Sequence, residues 1–224
     1  MYSGILPVNK PEGWTSHDVV AKLRGVLKER RIGHGGTLDP IATGVLVLFV
    51  GAATKLVSAH ESDDKAYIAG LRLGVTSNTY DITGELTVRE SASAVTRERL
   101  ESALLGFRGE LEQLPPMYSA VKVKGKKLYE YARKGQDVQR TPRPVTISRL
   151  EVIDGSAADW TLAVECSKGT YVRSLCHEIG ETLGVGGVMS SLVRTRSGEF
   201  TLAQCHTIEE IIESAKDGHC PWLL

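Results

Sequence analysis

A chain of 224 residues, 42% apolar and 24% charged, is long enough to bury a full core as one large domain or two small ones, with the composition of a globular protein. No run of eighteen apolar residues occurs, which argues against a membrane-spanning helix, and Met1–Gly4 leads into a strand without a signal-peptide layout, so a cytoplasmic location is expected. The 27 basic and 27 acidic residues cancel, but unevenly: Tyr118 to Arg149 holds nine basic residues against Glu130 and Asp137, giving +7 there and −7 elsewhere. Such polarisation can attract phosphates despite a neutral total, although from charge alone a solvated charged face is the simpler reading.

In chain order, Ile5 to Val8 reads as a strand and Lys10-Pro11-Glu12-Gly13 as a turn. Thr15 or Ser16 caps a helix whose apolar stripe is Val19, Val20, Leu23, Val26 and Leu27, with a basic cluster (Lys22, Arg24, Lys28, Arg30, Arg31) mostly on its other face. That helix is expected to stop at Gly33, where a glycine-dense loop runs to Pro40. Val45 to Val50 is a continuous apolar run, the mark of a buried central strand. Ala66 to Leu73 reads as a strand, Val75 to Gly84 as a loop, and Arg97 to Phe107 as a helix capped by Thr96 with Leu100, Ala103, Leu104 and Phe107 inward. Ser119 to Val123 is expected as a strand, followed by a short helix from Gly125 to Tyr131. Two further strands, Val145 to Ile153 and Trp160 to Cys166, precede a helix from Tyr171 to Leu183 stopped by Gly184. Strands and helices mixed without a βαβ rhythm point to an α+β domain.

Cys166, Cys176, Cys205 and Cys220 are too widely spread to form a CxxC pair. Cys176 and His177 are adjacent and diverge on a helix, so no metal site is expected; they read as a buried thiol and a surface histidine.

The segment Gly33-His34-Gly35-Gly36-Thr37-Leu38-Asp39-Pro40 is the least ordinary. Its glycines permit close approach to the main chain. No GK[ST] or GxGxxG is present, which excludes a phosphate loop and a dinucleotide fingerprint. What remains is a loop presenting His34 and Asp39, or, read alone, an ordinary Asp-Pro turn. In Ser167-Lys168-Gly169-Thr170-Tyr171-Val172-Arg173 a strand passes into a helix, and Arg173 falls in the first helical turn, where the helix dipole disfavours a cation. A residue placed against that preference has a partner elsewhere, for which a carboxylate such as Asp39 would serve, or is simply exposed.

The glycine-rich segment followed by Ala42-Thr43-Gly44-Val45-Leu46 resembles the catalytic motif of TruB-type pseudouridine synthases. Asn9-Lys10-Pro11-Glu12-Gly13, Asp64-Lys65-Ala66-Tyr67, Pro116 to Lys122 with Gly125 to Ala132, and Ser167 to Arg173 agree with that family in order and spacing, over about Gly4 to Thr207. The resemblance implies a pseudouridine synthase fold: a mixed, mostly antiparallel sheet flanked by helices, with the active cleft across it, as a single catalytic domain over 1–224. Asp39 is then the essential aspartate, Tyr67 the tyrosine that stacks on the target uracil, and Arg173 the arginine paired with the aspartate. His34 fills the space that the target base vacates in the RNA, while Lys10 and Tyr171 line the pocket. Uridine 55 in the T-loop of tRNA is the implied substrate, with no cofactor, no metal and no obligatory protein partner, and a monomer is expected. Lys122, Lys124, Lys126 and Lys127 are the candidates for gripping the RNA backbone. Two departures stand out. Gly35 occupies a position where bacterial members often carry Thr, Ser or Ala, and the PUA-type C-terminal domain of many relatives is expected to be absent, although Pro221-Trp222-Leu223-Leu224 looks like the start of a continuation. The rival readings are an RNA-binding module with vestigial activity, an enzyme of the same chemistry acting on another RNA, and a nucleotide-phosphate enzyme using the glycine loop.

Overall fold

The computed structural model describes residues 2–61, 63–89, 92–216 and 223; Cys220 and most of the Pro221–Leu224 segment lie outside them. The strands in chain order are β1 (Gly4–Lys10), β2 (Ile32–His34), β3 (Ala42–Val50), β4 (Lys65–Leu73), β5 (Val75–Ser77), β6 (Leu86–Val88) and β7 (Gly109–Gln113). They continue as β8 (Lys122–Val123), β9 (Lys126–Lys127), β10 (Arg143–Ser156), β11 (Asp159–Cys166), β12 (Gly187–Ser197) and β13 (Phe200–Thr201). The helices are α1 (Ser16–Leu27), α2 (Val57–His60), α3 (Arg97–Leu104), α4 (Leu128–Ala132), α5 (Val172–Thr182) and α6 (Ile208–Lys216). The chain divides into two compact units, Met1–Tyr67 with Leu192–Leu224, and Ile68–Ser191.

In the first unit β3 is central. It pairs antiparallel with β1 and β2, and Ala42–Gly44 runs parallel to Leu192–Arg194 of β12. Val45 to Val50 are all buried, as their unbroken apolar run anticipates for a strand covered on both faces. Val45, Val47 and Phe49 pack with Phe200, and Ile5, Ala53, Val57, Leu202 and Cys205 close that cluster. Helix α1 is capped by Thr15, whose hydroxyl accepts from the Asp18 amide while the Asp18 carboxylate accepts from the Thr15 amide, a reciprocal box. Val19, Val20, Leu23 and Leu27 are buried and Val26 only half-buried.

In the second unit β4, β11, β10 and β7 lie side by side in that order, with β10 antiparallel to β11 and β7. Helix α3, capped by Thr96, buries Leu100 and Leu104; Ala103 and Phe107 are half-buried, and Leu105–Phe107 tightens into a 3₁₀ turn. Helix α5 buries Leu175, Cys176 and Ile179, and Gly184 follows it at φ +77. The α+β class and the mostly antiparallel sheet match expectation, and no helix of the described residues is long and apolar enough to cross a membrane.

Several local readings are corrected. Helix α1 ends at Leu27, not Gly33, because Lys28 turns left-handed (φ 50) and Ile32 to His34 joins the sheet as β2. Val75–Ser77 is not loop but pairs with Leu86–Val88, a hairpin whose short, partly exposed strands lack an apolar signature. Only Lys122–Val123 of the expected Ser119 strand forms, since it has just the two-residue β9 to pair with. His177 is no surface residue: it is half-buried and stacks on Tyr80 with ring centroids 4.1 Å apart.

Gly35 has a steric reason to lack a side chain. A Cβ there would lie 2.3 Å from His60 Cδ2 and 3.0 Å from Phe49 Cε2. The His60 ring cannot easily swing away, because its Nδ1 pairs with Asp63 at 2.8 Å and its Nε2 shares a hydrogen bond with Ser197 Oγ at 3.2 Å. Gly35→Ala should therefore overpack this site by roughly 1–3 kcal/mol and lower Tm by several degrees, and adding His60→Ala should recover part of the loss. Thermal melts of the two variants decide it; a Gly35→Ala protein as stable as wild type would remove the steric argument.

Candidate functional site

Asp39 sits half-exposed in the turn between β2 and β3, and the surrounding segment is fixed through its backbone. The Asp39 carbonyl accepts from the Ala42 amide at 3.0 Å, and the Pro40 carbonyl accepts from the Gly13 amide at 2.8 Å. Ser16, in the first turn of α1, accepts from the Leu38 amide at 2.8 Å and donates to the Leu38 carbonyl at 3.2 Å. Leu38 itself is buried and anchors the residue before Asp39. The capped start of α1 is thus a clamp on the aspartate loop as well as a helix terminus.

Lys10, at the end of β1, is fully buried. Its Nζ donates to the carbonyls of Pro11 (2.8 Å), Trp14 (2.6 Å) and Pro40 (3.4 Å). Burial pushes its pKa down to about 8, partly opposed by the nearby Asp39 carboxylate. Three carbonyls around one amine favour the ammonium, which alone has three hydrogens to donate. Lys10 therefore ties the Pro11–Trp14 turn to the aspartate loop and places positive charge beside Asp39.

His34 ends β2 opposite Leu48. Burial, with Arg194 next in importance, holds its pKa below the usual histidine range, and its Nδ1 has no hydrogen-bond partner among the described residues. Tyr67, in β4, is only 9% exposed. Arg194 in β12 is a buried cation to which no sequence motif points.

In the second unit Arg173 lies in the first turn of α5 and is 4% exposed. Its Nη1 donates to the Thr79 carbonyl at 2.9 Å and its Nη2 to the Tyr118 carbonyl at 3.0 Å, while Nε lies 3.8 Å from Asp81 Oδ2. Its carboxylate neighbour in this unit is Asp81, itself buried and held by the Thr79 hydroxyl (2.8 Å), the Thr83 amide (2.9 Å) and the Thr83 hydroxyl (2.5 Å). The alternation Thr79-Tyr80-Asp81-Ile82-Thr83 is the signal that could have found it, since hydroxyls two residues either side of an aspartate can cage its carboxylate. Tyr171 caps α5, and its backbone N–H and C=O are both engaged by the amide side chain of buried Gln113, at 2.7 and 3.1 Å.

The four lysines sit on one hairpin. Lys124 (φ 49) and Gly125 (φ 82) form a two-residue turn with both central residues left-handed, which suits the twist of paired strands. Lys122, Lys124 and Lys126 are exposed and Lys127 half-buried, 5.5 Å over the Tyr129 ring, with Arg133 also on that ring. Lys122 faces Lys127 directly across the pair. Like charges so placed repel, and a bound polyanion would offset the repulsion.

Known proteins resemble this chain over most of its length. Residues 24–172 match the model of the TruB family pseudouridylate synthase N-terminal domain, and residues 173–219 that of the tRNA pseudouridylate synthase B C-terminal domain. The chain is 50% identical to tRNA pseudouridine synthase B of Heliobacterium modesticaldum over 213 residues, 94% of this chain and 70% of that protein. It is 44% identical to the tRNA pseudouridine synthase B of Dehalococcoides mccartyi over 221 residues, 99% of this chain and 74% of the relative. A chain in the crystal structure of a Cbf5–Nop10–Gar1 complex superposes with a TM-score of 0.76 at 32% identity, covering 98% of this chain and 58% of that one. The chain belongs to the TruB family of pseudouridylate synthases, isomerases that convert uridine to pseudouridine in tRNA.

Proposed function

We propose that this chain isomerises uridine 55 in the T-loop of tRNA, with Asp39 as the catalytic residue. The observation that carries the reading is the fixed Asp39 turn, with the buried Lys10 ammonium beside it, in a chain of this family. The reaction breaks the N1–C1′ bond, rotates the uracil and joins C5 to C1′; N1 gains a proton and C5 loses one. The Asp39 carboxylate either attacks C1′ or removes the C2′ proton to give a glycal. The target base must leave the RNA stack at a cost of a few kcal/mol. Stacking on the Tyr67 ring offsets part of that cost, and His34 takes the place the base leaves. Tyr171 and Lys10 line the pocket, and Arg173 acts as the partner of Asp39, as the family resemblance implies. The substrate RNA is held on the Lys122–Lys127 hairpin. The enzyme works in the cytoplasm as a monomer, without metal, cofactor or obligatory protein partner.

Asp39→Asn keeps the shape of the side chain and removes its charge. Turnover should fall by roughly three orders of magnitude or more while tRNA affinity hardly changes. Release of tritium from uridine C5 measures it, and an Asn variant that kept more than a small fraction of wild-type turnover would refute the assignment.

Arg173→Lys keeps the charge and loses the fork that reaches Thr79, Tyr118 and Asp81 together. The single-turnover rate should drop at least about tenfold, given the worth of hydrogen bonds to a charged group. A Lys variant as fast as wild type would show the fork to be dispensable.

Changing Lys122, Lys124, Lys126 and Lys127 together to Gln should weaken tRNA binding and flatten its salt dependence, by roughly 0.7–0.9 in log–log slope for each phosphate that is no longer neutralised. The rate at saturating tRNA should remain that of wild type, because groups that meet phosphates position the substrate. Affinity measured across a salt series tests this; an unchanged slope would mean that these lysines face solvent, leaving the Lys22 to Arg31 cluster as the grip.

A further inference from the structure

Arg194 is the largest fully buried side chain of the described residues, and neither the motifs of the sequence nor the reaction chemistry gives it a role. Its guanidinium is spent on backbone. Nε donates to the Val45 carbonyl at 2.7 Å, Nη2 to the Gly36 carbonyl at 3.1 Å and Nη1 to the Thr37 carbonyl at 3.4 Å. Val45 belongs to the rigid central strand, whereas Gly36 and Thr37 lie three and two residues before Asp39. One planar cation therefore bridges the sheet to the aspartate loop.

The loop is shaped to meet it. Gly36 adopts φ +116, a conformation side-chain-bearing residues rarely take, and this turns its carbonyl onto the guanidinium. Gly44, two residues after the start of β3, has φ +96, and a Cβ there would lie 2.3 Å from the Arg194 carbonyl. The absence of that Cβ lets β12 come close enough for the side chain to reach across β3. Ser16 and Lys10 hold the loop at Leu38 and Pro40, on either side of Asp39, and Arg194 holds it at Gly36 and Thr37. Without that last tether Gly36 and Thr37 would be held only through their neighbours, Gly35, whose amide donates to the Val47 carbonyl at 2.9 Å, and Leu38.

We infer that Arg194 is a positioning residue for Asp39, setting the carboxylate's approach to the ribose by holding the Gly36 and Thr37 carbonyls. The inference rests on the reading of Asp39 as the catalytic residue. A fork is required, because three acceptors lie around one planar group; a lysine amine in the same place keeps the charge but cannot span from Val45 to Gly36.

The test is Arg194→Lys, assayed for single-turnover rate at saturating tRNA, for tRNA Kd and for thermal unfolding, with Asp39→Asn alongside. At a temperature where the variant is fully folded, the rate should fall by about 100-fold, the expected effect of misplacing a reacting group by an ångström, with Kd unchanged. A purely structural role would lower Tm and leave the rate of the folded protein intact, and that result would overturn the inference. If Arg194→Lys does not fold, Gly36→Ala probes the same tether from the loop side. Its Cβ would meet Arg194 Nη1 only at an ordinary 3.7 Å, so it disturbs the carbonyl's direction without a clash. A wild-type rate in that variant would be equally fatal. An active Asp39→Asn protein would refute the catalytic reading itself; an inactive Asp39→Asn beside a full-speed Arg194→Lys would refute only the positioning role.

Discussion

The loop that carries Asp39 is rich in glycine and so has few side chains by which its backbone can be packed. Here the difficulty is met by hydrogen bonding the loop's own peptide groups from outside. Lys10, Ser16 and Arg194 come from β1, α1 and β12, and each reaches a backbone group between Gly36 and Pro40. Much of the first unit follows from this. β3 must be buried to serve as the rigid reference, β12 must run beside it with a glycine where the two strands meet, and α1 must begin at a defined residue so that Ser16 faces Leu38.

Two of those three groups are cations taken out of water, which is costly unless the charge is well solvated by the protein. Carbonyl oxygens provide that solvation. Lys10 is ringed by three and Arg194 by three, and hydrogen bonds to a charged donor are worth about 1.5–3 kcal/mol each. The positive charge also shapes the site: burial lowers the pKa of His34 and, against the pull of Asp63, that of His60, with Arg194 acting in the same direction as burial at both.

The second unit applies the same device to a different segment. Arg173 spans two carbonyls and the caged Asp81 carboxylate, joining the first turn of α5 to the Thr79–Thr83 turn and to Tyr118. Gln113 does so more modestly, matching one side-chain amide to the peptide groups of Tyr171. In each case a planar side chain with fixed donors is used where direction matters, and the flexible lysines are left to the exposed hairpin.

Elements whose signal is local could be read from the residues alone. The unbroken apolar run of Val45 to Val50, the Thr15 and Thr96 caps and the glycine after α5 each report on a few neighbouring residues, and all were legible. So was the aspartate loop, because its glycines, Asp39 and the other ordered motifs are contiguous patterns that match a known family. What those patterns touch depends on residues far away in the chain. The three-residue strands Val75–Ser77 and Leu86–Val88 exist because they find each other, and α1 stops at Leu27 because Ile32 to His34 is needed by β3. Gly35 is explained by a histidine twenty-five residues away, and Arg194, which reads as one more basic residue in Val193-Arg194-Thr195-Arg196, becomes a buried bridge 157 and 158 residues from the carbonyls it holds. Propensity and periodicity reflect the backbone's immediate surroundings, whereas a buried cation's partners are chosen by which distant carbonyls the fold leaves within hydrogen-bond reach.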